Sequence, residues 1–279
     1  MLMQLRTENG VVEGLEAADP RIVSFKGIPF AAPPVGERRW RAPQPAENWE
    51  GVLKAYRFAP ISVQNPPGVD PRDLYSREWN VNPGIAMSED CLYLNVLTPA
   101  DSEKDALPVY VWFFGGGFQC GNTAEMEFDG ERLARRGIVV VTVNYRLNVF
   151  GFLAHPLLTA EQPETPTNYG HLDQQAGIKW VKRNIRAFGG NPEQITIGGQ
   201  SAGGGSVMMH LTSPQSEGLF QGAIVDSGAL HYPCPGLGVR MVRTMETAED
   251  QGRQFFEFAG ISSLEEGRRM DAGVLLKKY

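Results

Sequence analysis

Gln194-Ile195-Thr196-Ile197-Gly198-Gly199-Gln200-Ser201-Ala202-Gly203-Gly204-Gly205-Ser206 decides how the rest of this chain is read. Ile195-Thr196-Ile197 is short, apolar and β-branched, the composition of a buried strand. Gly198 and Gly199 end it, Ser201 follows, and small residues lead into Met208-Met209-His210-Leu211, which continue as a helix. Gly199-Gln200-Ser201-Ala202-Gly203 fits the G-x-S-x-G pattern of a nucleophile elbow, in the strand-to-helix context that pattern requires. A serine at the tip of so sharp a turn carries strained backbone and exposes its Oγ. The positions two before and two after it must lack a Cβ, which would strike the neighbouring strand or helix. The helix that begins just after it aims free N–H groups and a positive dipole end at the same point.

Composition sets the frame around this stretch. The chain has 279 residues, 42% hydrophobic and 21% charged, enough for one large α/β core. The net charge of −6 comes from scattered acidic residues. With no basic run there is no expectation of a nucleic-acid partner or an anionic membrane surface. The first six residues contain no apolar signal region, and no run approaches the length needed to span a bilayer. Cys91, Cys120 and Cys234 are odd in number and far apart, which suits free, buried thiols in a reducing, cytoplasmic setting. No cofactor and no metal are implied.

Outward from the elbow, continuous apolar runs at 107–114 and 138–145 suit central strands covered on both faces. Residues 130–137 between them suit a short crossover helix closed by Gly137. This is the strand–crossover–strand grammar of a parallel sheet. Residues 172–188 form the clearest helix, with Leu172, Ala176, Trp180, Val181, Ile185 and Phe188 on one face and Asp173 in the first turn. After the elbow, 223–225 reads as the next parallel strand, and 247–259 and 262–270 as helices joined at Gly260. Towards the N-terminus, 91–97 is strand-like, and Asn9-Gly10 within 5–16 signals a hairpin. Residues 22–25 read as a strand. Prolines make 27–34 extended, expected on the domain surface and pinned by Trp40 and Trp49. Residues 65–86, polar and without a period, read equally as a site rim or a mobile surface loop.

Acyl transfer through a serine needs a nucleophile, a base, a group orienting the base, and donors for the oxyanion. Gly115-Gly116-Gly117, directly after the strand at 107–114, lets backbone N–H groups approach a substrate oxygen with no side chain between. Taken alone, three glycines would be a tight turn; paired with the elbow they become donors, together with the N–H of Ala202.

With these residues in view the chain resembles the N-terminal portion of the type-B carboxylesterases. That family includes cholinesterases, bacterial p-nitrobenzyl esterases and the non-catalytic neuroligins. The likeness runs through nearly all of the chain. It rests on segments 25–34, 89–96, 114–118, 143–147, 151–153, 168–170, 172–174, 184–190, 199–203 and 227–228, in the family's order. The resemblance implies an α/β-hydrolase fold. A mostly parallel central sheet with helices on both faces would follow an N-terminal β-hairpin region, with the C-terminal part missing. Residues 1–279 would be a single, incomplete domain, with 1–60 the hairpin and extended segment and 91–279 the sheet-and-helix core. It makes Ser201 the nucleophile, Gly116, Gly117 and Ala202 the oxyanion-hole donors, and Gln200 and Ser227 flanking polar groups, acting on a small-molecule ester.

Three departures qualify the resemblance. The residue before the nucleophile is often Glu in relatives and is Gln200 here, which removes a negative charge and argues against a choline-ester specialist. Cys91 often has an upstream disulfide partner in relatives, but the region around Ser62 offers none. The family's acid and His lie well beyond the elbow, and the chain ends before either, so they are expected from a complementary C-terminal segment or chain carrying Glu or Asp and His. Among residues present, His155 and His171 precede Ser201, and His210 points away from Oγ if its helix packs on the sheet. Asp226 and His231 follow in the right order, but five residues of loop rarely place both correctly. The alternative reading is a non-catalytic binding or adhesion protein, or an inactive fragment, on the same fold.

Overall fold

The structure, a computed structural model, describes residues 1–65, 72, 84–228 and 244–279. A hairpin of β1 (Gln4–Arg6) and β2 (Val11–Glu13) opens the chain, turned at Asn9-Gly10 with Thr7 N–H on Gly10 O at 2.8 Å. A Cβ on Gly10 would lie 2.4 Å from Trp49 Nε1, so only glycine lets the indole close over this turn. Further along come β3 (Leu15–Glu16), β4 (Val23–Pro29) and β5 (Val52–Lys54), which pairs with β2 in a small three-stranded sheet. The larger sheet is completed by β6 (Tyr93–Thr98), β7 (Leu107–Phe113), β8 (Val139–Val143), β9 (Gly190–Gln200) and β10 (Gly222–Asp226). Its order is β10-β9-β7-β8-β6-β4-β3.

The sheet is mixed rather than mostly parallel. β10–β9, β9–β7 and β7–β8 are parallel, whereas β8–β6, β6–β4 and β4–β3 are antiparallel. The helices explain the division. α1 (Glu131–Ala134) lies between β7 and β8. α2 (Asn148–Phe152), α3 (Pro156–Glu161) and α4 (Tyr169–Asn184) lie between β8 and β9, and α5 (Ala202–Thr212) lies between β9 and β10. A crossover of that kind returns the chain to the same end of the sheet, which parallel pairing needs. The N-terminal strands have no crossover helix, so they reverse. The chain closes with α6 (Met245–Ala259), α7 (Leu264–Arg269) and α8 (Ala272–Lys278); α6 ends at Gly260, whose φ of 69° is the left-handed stop expected there.

Residues 27–34 are extended but do not lie on the surface. β4 continues through them to Pro29 with a register shift between Phe25 and Ile28, and Ile28, Phe30, Ala31 and Ala32 are buried. Prolines remove donors, but an extended chain among apolar neighbours needs few of them. Trp40 is fully buried and donates from Nε1 to Val149 O at 2.9 Å, and Trp49 donates to Val11 O at 2.8 Å, so both indoles do anchor this region.

β7, β8 and β9 place Val109, Val111, Phe113, Val139, Val141, Val143, Ile195 and Ile197 in one buried cluster with Ile178, Trp180 and Val181 of α4. Gly177 of α4 makes the approach possible, since a Cβ there would meet Val143 at 2.7 Å. Asp173 lies past the first turn of its helix, because α4 already starts at Tyr169. It is fully buried and holds Arg146 through Nε–Oδ2 at 2.8 Å and Nη2–Oδ1 at 2.7 Å, and it also accepts the Arg146 backbone N–H at 3.0 Å. This pair ties the end of β8 to the start of α4, at the end of the sheet where the elbow lies. Most of 65–86, the expected rim or surface loop, lies outside the described residues; its ends meet where Ile61 N–H donates to Ala86 O at 2.9 Å.

Candidate active site

β9 delivers Ser201 at the start of α5. Ser201 has φ 54° and ψ −119°, a positive φ that a non-glycine residue holds only where its surroundings enforce it. Two bonds enforce it here: Ser201 N–H donates to Asp226 O of β10 at 2.8 Å, and Ser201 O accepts from Gly205 N–H at 2.9 Å. The flanking glycines behave as the elbow demands. A Cβ on Gly199 would lie 2.4 Å from the Gly203 backbone, and one on Gly203 would lie 2.1 Å from Phe113 O of β7. Gly204 is equally constrained, 2.8 Å from Asp226 O and 2.9 Å from the Gly228 Cα. The helix is thus seated directly on the ends of two strands. Ser201 and Ala202 both remain partly exposed.

The glycine loop lies against this serine. A Cβ on Gly115 would fall 2.7 Å from Gln200 O, 2.8 Å from Gln200 Oε1 and 3.2 Å from Ser201 Cβ. Gly116 (φ 103°) and Gly117 (φ 64°) then turn the chain outward, with Gly117 exposed and nothing within 4 Å of where its Cβ would be. Among the described residues, no hydrogen bond uses the N–H of Gly116, Gly117 or Ala202, or engages the Ser201 hydroxyl. Unused amides at a helix start and at an adjacent glycine turn are a ready receptor for a negatively charged oxygen.

The loop's supports were not legible in the sequence. Tyr145 is fully buried, stacks on Phe114 at 4.3 Å and donates its hydroxyl to Phe114 O at 2.7 Å. Asn148 N–H donates to Phe118 O at 2.7 Å. Gln64, 2% exposed, accepts from Gly121 N–H at 2.8 Å and donates to Gly121 O at 3.1 Å. All three partners are backbone atoms, which no residue pattern announces.

Of the remaining expected residues, Gln200 faces Gly115. Ser227 stands at the end of β10 with φ 51°, exposed, its hydroxyl donating to Asp226 Oδ1 at 3.0 Å. The described histidines have structural surroundings. His155 caps α3, accepting from Leu157 N–H at 3.1 Å, and stacks on Phe256 at 4.3 Å. His210 packs on Phe113, with Nδ1 3.1 Å from Ser216 Oγ and Nε2 3.2 Å from Gln174 Oε1, and burial holds its pKa down to about 3. His171 lies edge-to-face against Phe118 and Phe152, its Nε2 enclosed without a partner, and burial lowers its pKa to about 4. His231 and Cys234 lie outside the described residues. Cys91 and Cys120 are free thiols, both pushed up in pKa by burial. Among the described residues, no group of three or more His, Cys, Asp or Glu side chains is disposed to hold a metal, and no helix is long and apolar enough to cross a membrane.

Comparison with known proteins agrees with this geometry. The carboxylesterase family matches residues 2–251. The chain is 44% identical over 272 residues to a fumonisin B1 esterase of Sphingopyxis macrogoltabida, covering 97% of this chain and 46% of that one. It is 42% identical over 257 residues to the para-nitrobenzyl esterase of Bacillus subtilis, covering 92% and 48%, and 41% identical over 261 residues to a Mus musculus cholinesterase, covering 92% and 41%. A solved PNB esterase superposes with a TM-score of 0.84 at 38% identity, over 100% of this chain and 53% of that one. The chain therefore spans about half the length of the curated relatives it matches.

Proposed function

The chain belongs to the carboxylesterase family, and on that premise we propose that it carries the nucleophile and oxyanion hole of a serine carboxylesterase. Ser201 Oγ attacks the ester carbonyl carbon, and its proton passes to a base. The carbonyl oxygen takes the negative charge and is held by the N–H groups of Gly116, Gly117 and Ala202. Collapse expels the alcohol, which receives the proton from the base, and water then cleaves the acyl-serine by the same steps in reverse. We read the base and the acid that orients it as supplied by a segment or chain beyond the 279 residues, in keeping with a match to about half the length of the relatives and with the packing of His155, His171 and His210. Gln200 and Ser227 are flanking polar groups, and the neutral Gln200 beside the site favours uncharged esters. We take the 279 residues as one incomplete domain of a cytoplasmic enzyme, in keeping with the free Cys91 and Cys120.

The observation that supports this reading is the strained Ser201 with the Gly115 backbone packed against its Cβ, next to N–H groups of Gly116, Gly117 and Ala202 that make no hydrogen bond among the described residues. Reaction with a fluorophosphonate probe tests it, with the polypeptide that completes the family's length supplied in trans or fused. One label per chain is expected, mapped to Ser201 and lost in Ser201→Ala. A label that survives Ser201→Ala, or no reaction of the completed protein, would refute it.

A further inference from the structure

Gln64 is the side chain on which the glycine loop closes. The loop leaves β7 at Phe114 and returns at Gly121, and its two limbs touch. A Cβ on Gly121 would lie 2.6 Å from Gly115 O, and one on Gly116 would lie 2.1 Å from Cys120 O. Inside the loop, Gln119 N–H and Cys120 N–H both donate to Gly116 O, at 3.0 and 3.2 Å. The outgoing limb is fixed to the core by Tyr145, and the tip by Asn148. The returning limb is held at Gly121 by the primary amide of Gln64, which meets both the N–H and the C=O of that residue as a neighbouring strand would. The same Nε2 also donates to Ser62 O at 2.9 Å, so both ends of the amide are committed.

The geometry points to Gln64 as a positioning residue for the oxyanion hole: by clamping Gly121 it fixes Gly115 against Ser201 and thereby aims the N–H groups of Gly116 and Gly117. The chain of contacts is short, running from the Gln64 amide to Gly121, to Gly115 O and on to Ser201 Cβ. Gln64 does not touch the reacting atoms. Without the clamp the loop keeps its sequence and its glycines, but the returning limb loses the one side chain that, among the described residues, hydrogen-bonds Gly121, and the amides lose their common direction. Donors help a developing oxyanion only when their orientation is set beforehand. This inference rests on the proposed role of Ser201.

The test uses Gln64→Met, similar in length and without hydrogen bonds, and Gln64→Glu, which keeps the acceptor for Gly121 N–H and loses the donor. Amide hydrogen exchange is read at Gln119 and Cys120, whose bonds to Gly116 O do not involve Gln64. Gln64→Met should speed their exchange about tenfold or more while leaving β7 and β9 protected, and Gln64→Glu should fall between it and wild type. In the completed protein, Gln64→Met should also slow fluorophosphonate labelling of Ser201 about 100-fold, the effect of losing an oxyanion donor, with reversible affinity for an uncleavable ester analogue unchanged. Unchanged exchange at Gln119 and Cys120, or an equal rise throughout β7 and β9, would overturn the inference. A wild-type protein that never labels would refute the role of Ser201 instead, while the exchange result still decides that of Gln64.

Discussion

Replacing Ser201 by glycine should make the protein more stable while removing its nucleophile. Ser201 sits at φ 54° and ψ −119°, and a non-glycine residue in such sparsely populated backbone costs on the order of 1–3 kcal/mol. Glycine adopts the same dihedrals without the Cβ clash but loses about 0.5–1 kcal/mol more backbone entropy on folding. The difference leaves a gain of about 1 kcal/mol. Ser201→Ala is the control, because it keeps the Cβ and the strain. It removes a hydroxyl that makes no hydrogen bond among the described residues, so it should stay within about 0.5 kcal/mol of wild type. For a chain of this size about 1 kcal/mol corresponds to roughly 2–4 °C in Tm. Scanning calorimetry of the three proteins should therefore give Ser201→Gly above Ser201→Ala by that margin, with neither variant labelled by fluorophosphonate. A Ser201→Gly protein melting at or below Ser201→Ala would show that the elbow stores no strain at this residue, and the account of why it is held there would fail.

Two further outcomes follow from the buried groups. Asp173→Asn leaves the Arg146 guanidinium, 2% exposed, without its counter-charge, and urea denaturation should show a loss of about 3–5 kcal/mol; a loss below about 1 kcal/mol would contradict the assignment of the pair. His210 and His171 have folded pKa values lowered to about 3 and about 4, so the unfolded chain binds more protons than the folded one once pH drops below about 6.5, and stability must fall as pH falls. Between pH 6.5 and about 5.5 ordinary carboxylates stay ionised, so urea midpoints in that window isolate the histidines. Wild type should lose midpoint steadily there, and His171→Leu, which fills the same apolar contact with no proton to bind, should lose less.

What the chain reveals of itself depends on whether a feature is written in side-chain type or in backbone geometry. The elbow was legible because glycine is required at 199 and 203 by contacts of 2.4 and 2.1 Å, and no other residue satisfies them. The 139–143 strand was legible because burial on both faces demands an unbroken apolar run, whereas 107–113 is buried on the face of Val109, Val111 and Phe113 and leaves Tyr110 and Trp112 half-buried on the other. The antiparallel half of the sheet was not. β4, β6 and β8 look alike as apolar runs, and their relative direction is set by the absence of a crossover helix, which a reading focused on the strands overlooks. Asp173 was placed in a first helical turn because the apolar face begins at Leu172, whereas the helix starts at Tyr169 and the carboxylate is held by Arg146, 27 positions earlier. Gln64 gave no signal, since its partner is a peptide group 57 positions away.

Among the described residues β10 pairs on one side only, with β9, and its Ile224 is 51% exposed. Yet its last carbonyl, on Asp226, is what grips the amide of Ser201. Outer strands detach at lower free energy than the interior they border. Detachment of β10 would release the Ser201 N–H from Asp226 O while the pairings of β9, β7 and β8 remained. The posture of the serine is therefore only as secure as a five-residue ribbon at the margin of the described sheet.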